Sequence, residues 1–160
     1  MLSQFISPLL GGRWRGKRPV TLPDCDAIFL HGSEHFDIEV VGVARQQAWL
    51  RECLPHSLEP EQSHRCVATL VLEGRKSFNK NAVSVAINGQ PVGYCPAYLA
   101  TKYREWLHAW RLDHVQVQCR ANVECVKSRF EREARYLVKL DFDLPFKMTA
   151  SKSVRSLNPA

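Results

Sequence analysis

The stretch Val71–Cys95, VLEGRKSFNKNAVSVAINGQPVGYC, decides the fold of this chain. Within it, Asn88-Gly89 separates two β-prone runs, Ala82–Ile87 and Pro91–Tyr94. Both central residues of a type I′ turn need positive φ, which Asn tolerates and Gly adopts freely. An Asn-Gly pair between two such runs is therefore a strong hairpin signal, and it predicts a β-hairpin here.

A basic loop leads into this hairpin. It carries Arg75, Lys76 and Lys80 with no acidic residue between them. Three cations so close together attract anions, which is typical of a phosphate-contacting loop. They could equally keep a solvated loop soluble, and composition alone does not choose between the two interpretations.

The rest of the chain predicts a small, mainly β (α+β) barrel of five to six strands with one long and one short helix. Alternating or β-branched runs predict the further strands 37–43, 65–73, 114–125 and 135–144. The 65–73 run is apolar on both faces and should be central. Closing such a sheet on itself would remove exposed strand edges.

The two helices follow from apolar periodicity. The long helix is predicted over 96–110, since Pro96 suits a first turn and apolar residues recur at helical spacing on one face. Its polar side, with Lys102, Arg104 and Glu105, should face water. The short helix covers 46–54 and is stopped by Pro55. The residues of the long helix's apolar face are Leu99, Tyr103, Trp106, Leu107 and Trp110.

No pattern predicts a catalytic or metal site. The six cysteines form no Cys-x-x-Cys pair, so they are expected to be reduced core thiols. The chain lacks Gly-x-Ser-x-Gly, Walker and His-Glu-x-x-His motifs, and the pair Asp141-x-Asp143 is expected to be solvated. We therefore expect a protein that is not an enzyme and needs no cofactor or metal.

The two ends differ from the middle. Residues 1–36 begin as a basic arm rich in Gly, Arg and Pro, followed by the 27–31 run, which could add an edge strand. Residues 147–160 carry three bases and no acid, which predicts a disordered basic tail. The start of the chain has no secretory pattern, and no apolar run is long enough to span a membrane, so a cytoplasmic protein is expected.

Residues 37–146 resemble the HIRAN domain family. The resemblance rests on motifs in the family's order, from a first strand with a following glutamine, through the hairpin, to a closing strand. The motifs are Glu39–Val43 with Gln47, Phe78-Asn79, Asn81-Ala82-Val83-x-Val85, Asn88-Gly89, Val92-Gly93-Tyr94, Leu99-Ala100 and Leu137–Asp141. The resemblance implies an oligonucleotide/oligosaccharide-binding-like barrel, with a helix at one end.

In the family this domain looks like a pocket for the 3′ end of single-stranded DNA, and the resemblance carries that site over residue by residue. Phe78 stands where the family has a stacking tyrosine, and Asn79 where an aspartate accepts the 3′-hydroxyl. Arg45 falls near the second stacking aromatic, and Tyr94 matches the family's Val-Gly-aromatic motif. The departures at Asn79 and Arg45 put strict 3′-hydroxyl recognition in doubt.

The resemblance thus implies a non-catalytic module for single-stranded DNA or DNA ends, with a role in DNA repair. The expected nucleic-acid-binding residues are Arg45, Arg75, Lys76, Phe78, Asn79, Lys80 and Tyr94. The alternative is a protein-interaction adaptor that docks onto a separately encoded helicase or nuclease. For the adaptor, exposure of Trp14 or Trp49 would supply an apolar contact surface.

Overall fold

A computed structural model describes residues 4–6, 26–74 and 80–151. These residues form nine strands and two α-helices, so the predicted mainly β fold with one long and one short helix is confirmed. The strands are more numerous than the five or six expected. They are β1 (Gln4–Ile6), β2 (Ala27–His31), β3 (Ile38–Glu39), β4 (Ser63–Leu72), β5 (Val83–Ile87), β6 (Gln90–Tyr94), β7 (Gln116–Val126), β8 (Arg135–Asp141) and β9 (Lys147–Ser151). The helices are α1 (Gln47–Cys53), preceded by the 3-10 turn Val43–Gln46, and α2 (Ala97–Ala109).

Strand β7 lies at the centre of the sheet. Along one edge it pairs antiparallel with β4, β4 pairs with β5, and β5 pairs with β6. Its other edge is divided: residues 116–119 pair parallel with β2, and residues 120–126 pair antiparallel with β8. Strand β3 lies beside β8, and β9 and β1 extend the sheet beyond β2. The predicted central position of β4 is confirmed.

The sheet curls until its two ends meet at one backbone pair. Val41, just after β3, and Tyr94, the last residue of β6, exchange two hydrogen bonds of 2.8 Å. The path of paired strands therefore returns to β7 through β4, β5, β6, β3 and β8. We call this Val41–Tyr94 pair the seam. It gives the barrel-like fold its closure.

Gly89 and Gly93 occupy positions in this region that a larger residue could not easily take. Asn88 and Gly89 have φ of 50° and 79°, as the type I′ hairpin prediction requires. Gly93 packs directly against the seam: a Cβ there would lie 2.7 Å from Cγ1 of Val40 and would overlap the Val41 carbonyl oxygen. A side chain at Gly93 would therefore push the two ends of the sheet apart.

The apolar face of α2 covers the interior of the curled sheet, as its periodicity predicts. Leu99, Tyr103 and Trp106 are buried in the same core as the inward residues of β4, β5 and β7. The Trp106 ring lies 4.8 Å, centroid to centroid, from that of Phe146, which follows β8. Neither helix among the described residues has the length and apolar character needed to cross a bilayer.

Two expectations about the chain ends need correction. Residues 147–151, predicted to start a disordered tail, form β9, which pairs with β2 on one side and β1 on the other. Strand β2 consequently lies between β7 and β9 and is not an edge strand. The run Lys-Met-Thr-Ala-Ser alternates polar and apolar residues, with Met148 buried, but five residues are too few to predict a strand without the distant segments that pair with it. Residues 7–25 and 152–160 lie outside the described residues.

Candidate nucleic-acid interface

Three of the seven predicted binding residues lie in the described part of the chain. They are Arg45, Lys80 and Tyr94, and all three are exposed. The other four lie outside the described residues: Arg75, Lys76, Phe78 and Asn79. The structure therefore bears on the surface around the basic loop and not on residues 75–79 themselves.

Tyr94 displays its ring beside Val41 at the seam. Residues directly opposite each other in an antiparallel pair project their side chains from the same face. Both side chains are open to solvent, with Tyr94 47% exposed and Val41 56% exposed. The seam thus presents a half-exposed aromatic ring next to an exposed aliphatic side chain.

The same face continues across the neighbouring strands. Tyr94 of β6 stands opposite Ser84 of β5, and Ser84 stands opposite Val71 of β4. The Ser84 hydroxyl donates to the Val71 carbonyl oxygen at 3.4 Å and is buried, while Val71 is exposed. The row from Val41 to Val71 is therefore mostly apolar and runs to the end of β4, where the basic loop begins.

Arg45 belongs to the same end of the sheet. Gly42 follows the seam with φ of 81° and turns the chain into the 3-10 turn that holds Arg45. A Cβ on Gly42 would be 3.8 Å from Cδ2 of Tyr94, so the tyrosine ring lies along this backbone. The turn contacts both β6 and β8. The turn that carries Arg45 therefore lies next to the strand that carries Tyr94, and their shared role in binding stays a prediction.

Gln47 fixes the start of α1 against β8. Its amide Nε2 donates to the Tyr136 carbonyl oxygen at 2.9 Å, and its Oε1 accepts the Tyr136 N–H at 2.7 Å. One side chain thus satisfies both backbone groups of a residue in β8. This two-way pairing holds the turn that carries Arg45 in position.

Arg104 holds the base of the basic loop, which the sequence did not predict. Its guanidinium donates to the carbonyl oxygens of Glu73 at 3.2 Å, Asn81 at 2.9 Å and Ala82 at 2.8 Å. The expectation that Arg104 faces water is wrong, because these carbonyls at the ends of β4 and β5 attract a charged donor. Helical periodicity places Arg104 on the polar side of α2 and gives no signal of so distant a partner.

The two described cations of the predicted site keep their charges available. Arg45 and Lys80 form no ion pair with any acid in the described ranges, including Glu39 and Glu73, the acids nearest to them in sequence. Elsewhere many cations are engaged: Arg51, Arg65, Arg120, Arg135, Lys139 and Lys147 all pair with acids. The unpaired guanidinium of Arg45, on a turn that contacts the strand of Tyr94, suits an anionic, aromatic ligand, and Lys80 adds charge at the end of the basic loop.

The acidic pair after β8 has structural roles. Asp141 is only 2% exposed, and its Oδ1 accepts the backbone N–H of Glu34 at 2.9 Å. Asp143 accepts a hydrogen bond from the Ser33 hydroxyl at 2.5 Å, and mainly for this reason its pKa is lowered. The expectation that both carboxylates are solvated is wrong for Asp141, because the Gly32–Glu34 loop folds over it. In the described ranges no three His, Cys, Asp or Glu side chains form a metal-binding group.

The described cysteines are free thiols, and three of them are buried. Burial raises the pKa of Cys95 to about 12 and that of Cys66 to about 11. Such thiols stay protonated near neutral pH and are poor nucleophiles and poor ligands. The core-thiol interpretation fits Cys95, Cys119 and Cys125; Cys53 and Cys66 are partly buried, and Cys25 lies outside the described residues.

No family model, curated protein or solved structure matches this chain. The resemblance to the HIRAN domain stays a prediction based on the motifs. The function proposed below is supported by the geometry of the seam and its neighbouring cations.

Proposed function

We propose that this protein is a non-catalytic module that binds single-stranded DNA or DNA ends. The binding region is the seam surface, defined by Val41, Arg45, Lys80 and Tyr94. The observation that carries the proposal is the half-exposed Tyr94 ring at the closure of the sheet, beside the turn that holds an unpaired guanidinium. The last residues of β4 and the first of β5, which form the stems of the basic loop, lie at the same end of the sheet.

A single strand offers two things that this surface can hold. Its unpaired bases expose flat aromatic faces, and a base stacked on an aromatic side chain contributes about 1–3 kcal/mol. Its phosphates attract the guanidinium of Arg45 and the ammonium of Lys80. Duplex DNA hides its base faces in the stack, so the seam surface should favour unpaired nucleotides.

The basic loop extends the proposed surface. Arg75 and Lys76 supply further positive charge in sequence, and Phe78 supplies a second ring. Asn79, where the HIRAN family has an acid, would accept a hydrogen bond from a terminal hydroxyl without repelling a terminal phosphate. Binding at 3′ ends would then tolerate either chemical group.

The test is a fluorescence-anisotropy titration with a short single-stranded oligonucleotide at two salt concentrations. We expect affinity to fall as salt rises, because each neutralised phosphate releases counterions. Arg45→Gln should reduce the salt slope by about 0.7, the value for one contact to a single strand. Arg111→Gln is the matched control, since Arg111 is also exposed and lies just after α2, away from the seam. Affinity independent of salt would refute the proposal.

A second candidate, the adaptor that docks onto a separately encoded helicase or nuclease, is favoured by a different observation. Val67 and Val71 are 45% and 43% exposed on the outer face of central strand β4. Trp49 is partly buried against the core, which weakens its case as a contact residue, and Trp14 lies outside the described residues. Val67→Lys should abolish binding to such a partner and leave oligonucleotide binding intact if the adaptor role holds.

A further inference from the structure

Besides Tyr94 and Tyr98, a further exposed aromatic stands at the tip of the β7–β8 hairpin. We call residues 127–134 the hairpin tip. Phe130 at its apex is 96% exposed, the highest value among the large apolar side chains of the described residues. A single exposed apolar side chain is common on protein surfaces, so the exposure of Phe130 counts only together with the charges around it.

The hairpin tip is ordered by its own hydrogen bonds. The Ser128 hydroxyl accepts the Phe130 N–H at 3.3 Å, and the Ser128 carbonyl oxygen accepts the Glu131 N–H at 3.2 Å. In return the Glu131 carboxylate accepts the Ser128 N–H at 3.4 Å, a reciprocal pattern that resembles a capping box but uses the N–H of Phe130. Phe130 therefore projects from a turn that is already formed, and little ordering is needed before it contacts a ligand.

The charge left over on the hairpin tip is positive. Both of its acids are engaged: Glu131 pairs with Arg135 at 3.7 Å, and Glu133 pairs with Arg51 at 3.9 Å. The three cations at the tip are exposed and pair with no acid in the described ranges; they are Lys127, Arg129 and Arg132. A flat ring among unpaired cations has the same chemistry as the seam surface.

Helix α1 connects the two surfaces. Its first residue, Gln47, bonds to Tyr136 near the start of β8, and Arg51 in its last turn donates to the Ala134 carbonyl oxygen at 3.4 Å. Arg45 lies just before α1, so the seam surface and the hairpin tip flank opposite ends of one short helix. At 1.5 Å per residue, Gln47 and Arg51 are about 6 Å apart along the axis of α1, and Arg45 lies two residues before Gln47. A strand leaving the seam surface could reach the tip within a few nucleotides.

We propose that the hairpin tip is a second contact for the same single strand, with Phe130 stacking on a base and Arg129 and Arg132 holding phosphates. This inference rests on the proposed function. If the hairpin tip binds DNA, the number of nucleotides that contact the protein is larger than the seam surface alone can hold. Short strands occupy only the seam surface, and longer ones also engage the tip. The unpaired positive charge favours a polyanion over a neutral protein surface.

The experiment measures the affinity of the full chain for oligothymidylates from about 4 to about 16 nucleotides, the range of site sizes for such barrels. Wild-type affinity should rise with length. Phe130→Ala should weaken binding of the longest strand at least about fivefold and leave the shortest unchanged. Phe130→Tyr, which keeps the ring, is the matched control. The double variant Arg129→Gln/Arg132→Gln should lower the salt slope for the longest strand by about 1.4.

The outcomes separate the inference from the proposed function. If wild-type protein binds the oligonucleotides and Phe130→Ala matches it at every length, the tip is not a nucleic-acid contact and the inference is overturned alone. If no oligonucleotide binds the wild type at any length, the proposed function and the inference both fall. Loss of binding to vesicles containing anionic lipid in Phe130→Ala, with oligonucleotide binding intact, would assign the tip to a membrane surface instead.

Discussion

Replacing Arg104 tests whether one side chain of α2 fixes the stems of the basic loop. Arg104→Met keeps much of the side-chain volume and removes all three hydrogen bonds to the carbonyl oxygens of Glu73, Asn81 and Ala82. A typical hydrogen bond contributes about 0.5–1.5 kcal/mol net to stability. Because Arg104 is only half-buried, water can replace part of the loss, and we expect the free energy of unfolding to fall by about 1–3 kcal/mol.

The assay is urea unfolding followed by tryptophan fluorescence, with Lys102→Met as the matched control. Lys102 is exposed on the same helix, so Lys102→Met should change the free energy of unfolding by no more than about 0.5 kcal/mol. Arg104→Lys should fall between the two, because one ammonium cannot reach three carbonyls in the same fork geometry. We also expect Arg104→Met to weaken oligonucleotide binding, since the loop stems lose their anchor. Equal stabilities of Arg104→Met and Lys102→Met would refute the reasoning.

Three further predictions concern the seam, α1 and the core. Gly93→Ala should destabilise the fold by about 1–3 kcal/mol in urea unfolding because its Cβ meets the seam backbone, whereas Gly74→Ala, with open space around it, should be nearly neutral. Gln47→Leu should cost about 1–3 kcal/mol, since both hydrogen bonds to the Tyr136 backbone are lost; a thermal midpoint equal to wild type would contradict this. The raised pKa of Cys95 means that the unfolded thiol loses its proton first, so stability should fall as pH rises from about 9 towards about 12, and Cys95→Ala should flatten that fall.

The elements that the sequence predicts well are those with a local signal. The Asn88-Gly89 turn needs only the conformational freedom of two adjacent residues, and both adopt the positive φ expected. The long helix follows from apolar residues three and four apart, and α2 begins one residue after Pro96. In each case the deciding interactions lie within a few residues of one another.

The elements that the sequence misses depend on partners far along the chain. Strand β9 forms because β2 and β1 pair with it, and its five alternating residues are too short a signal to predict it alone. Asp141 is buried because the Gly32–Glu34 loop folds over it. Helical periodicity predicts that Arg104 faces solvent, but the two ends of the basic loop lie beside it and accept its hydrogen bonds. Such contacts leave no periodicity in the sequence.

The candidate site lies between these two cases. The motifs nominate Tyr94 and Arg45 through a resemblance, yet nothing in their spacing predicts that they come together. The closure of the sheet at the seam brings their backbones near each other, because Val41 pairs with Tyr94 and the turn that holds Arg45 follows Val41 directly. Phe130 was not nominated at all, although the Ser-x-x-Glu pattern at 128–131 is a signal for an ordered turn that displays it.

The most direct test of the central claim, that a base stacks on Tyr94, is a two-by-two comparison of affinities. Wild-type protein and Tyr94→Ala are each titrated with a short single-stranded oligonucleotide and with an abasic strand of the same length. Wild type should prefer the strand with bases by about 5- to 150-fold, equivalent to about 1–3 kcal/mol, and Tyr94→Ala should lose most of that preference. Tyr94→Phe should keep it. An equal preference for bases in wild type and Tyr94→Ala would contradict the account.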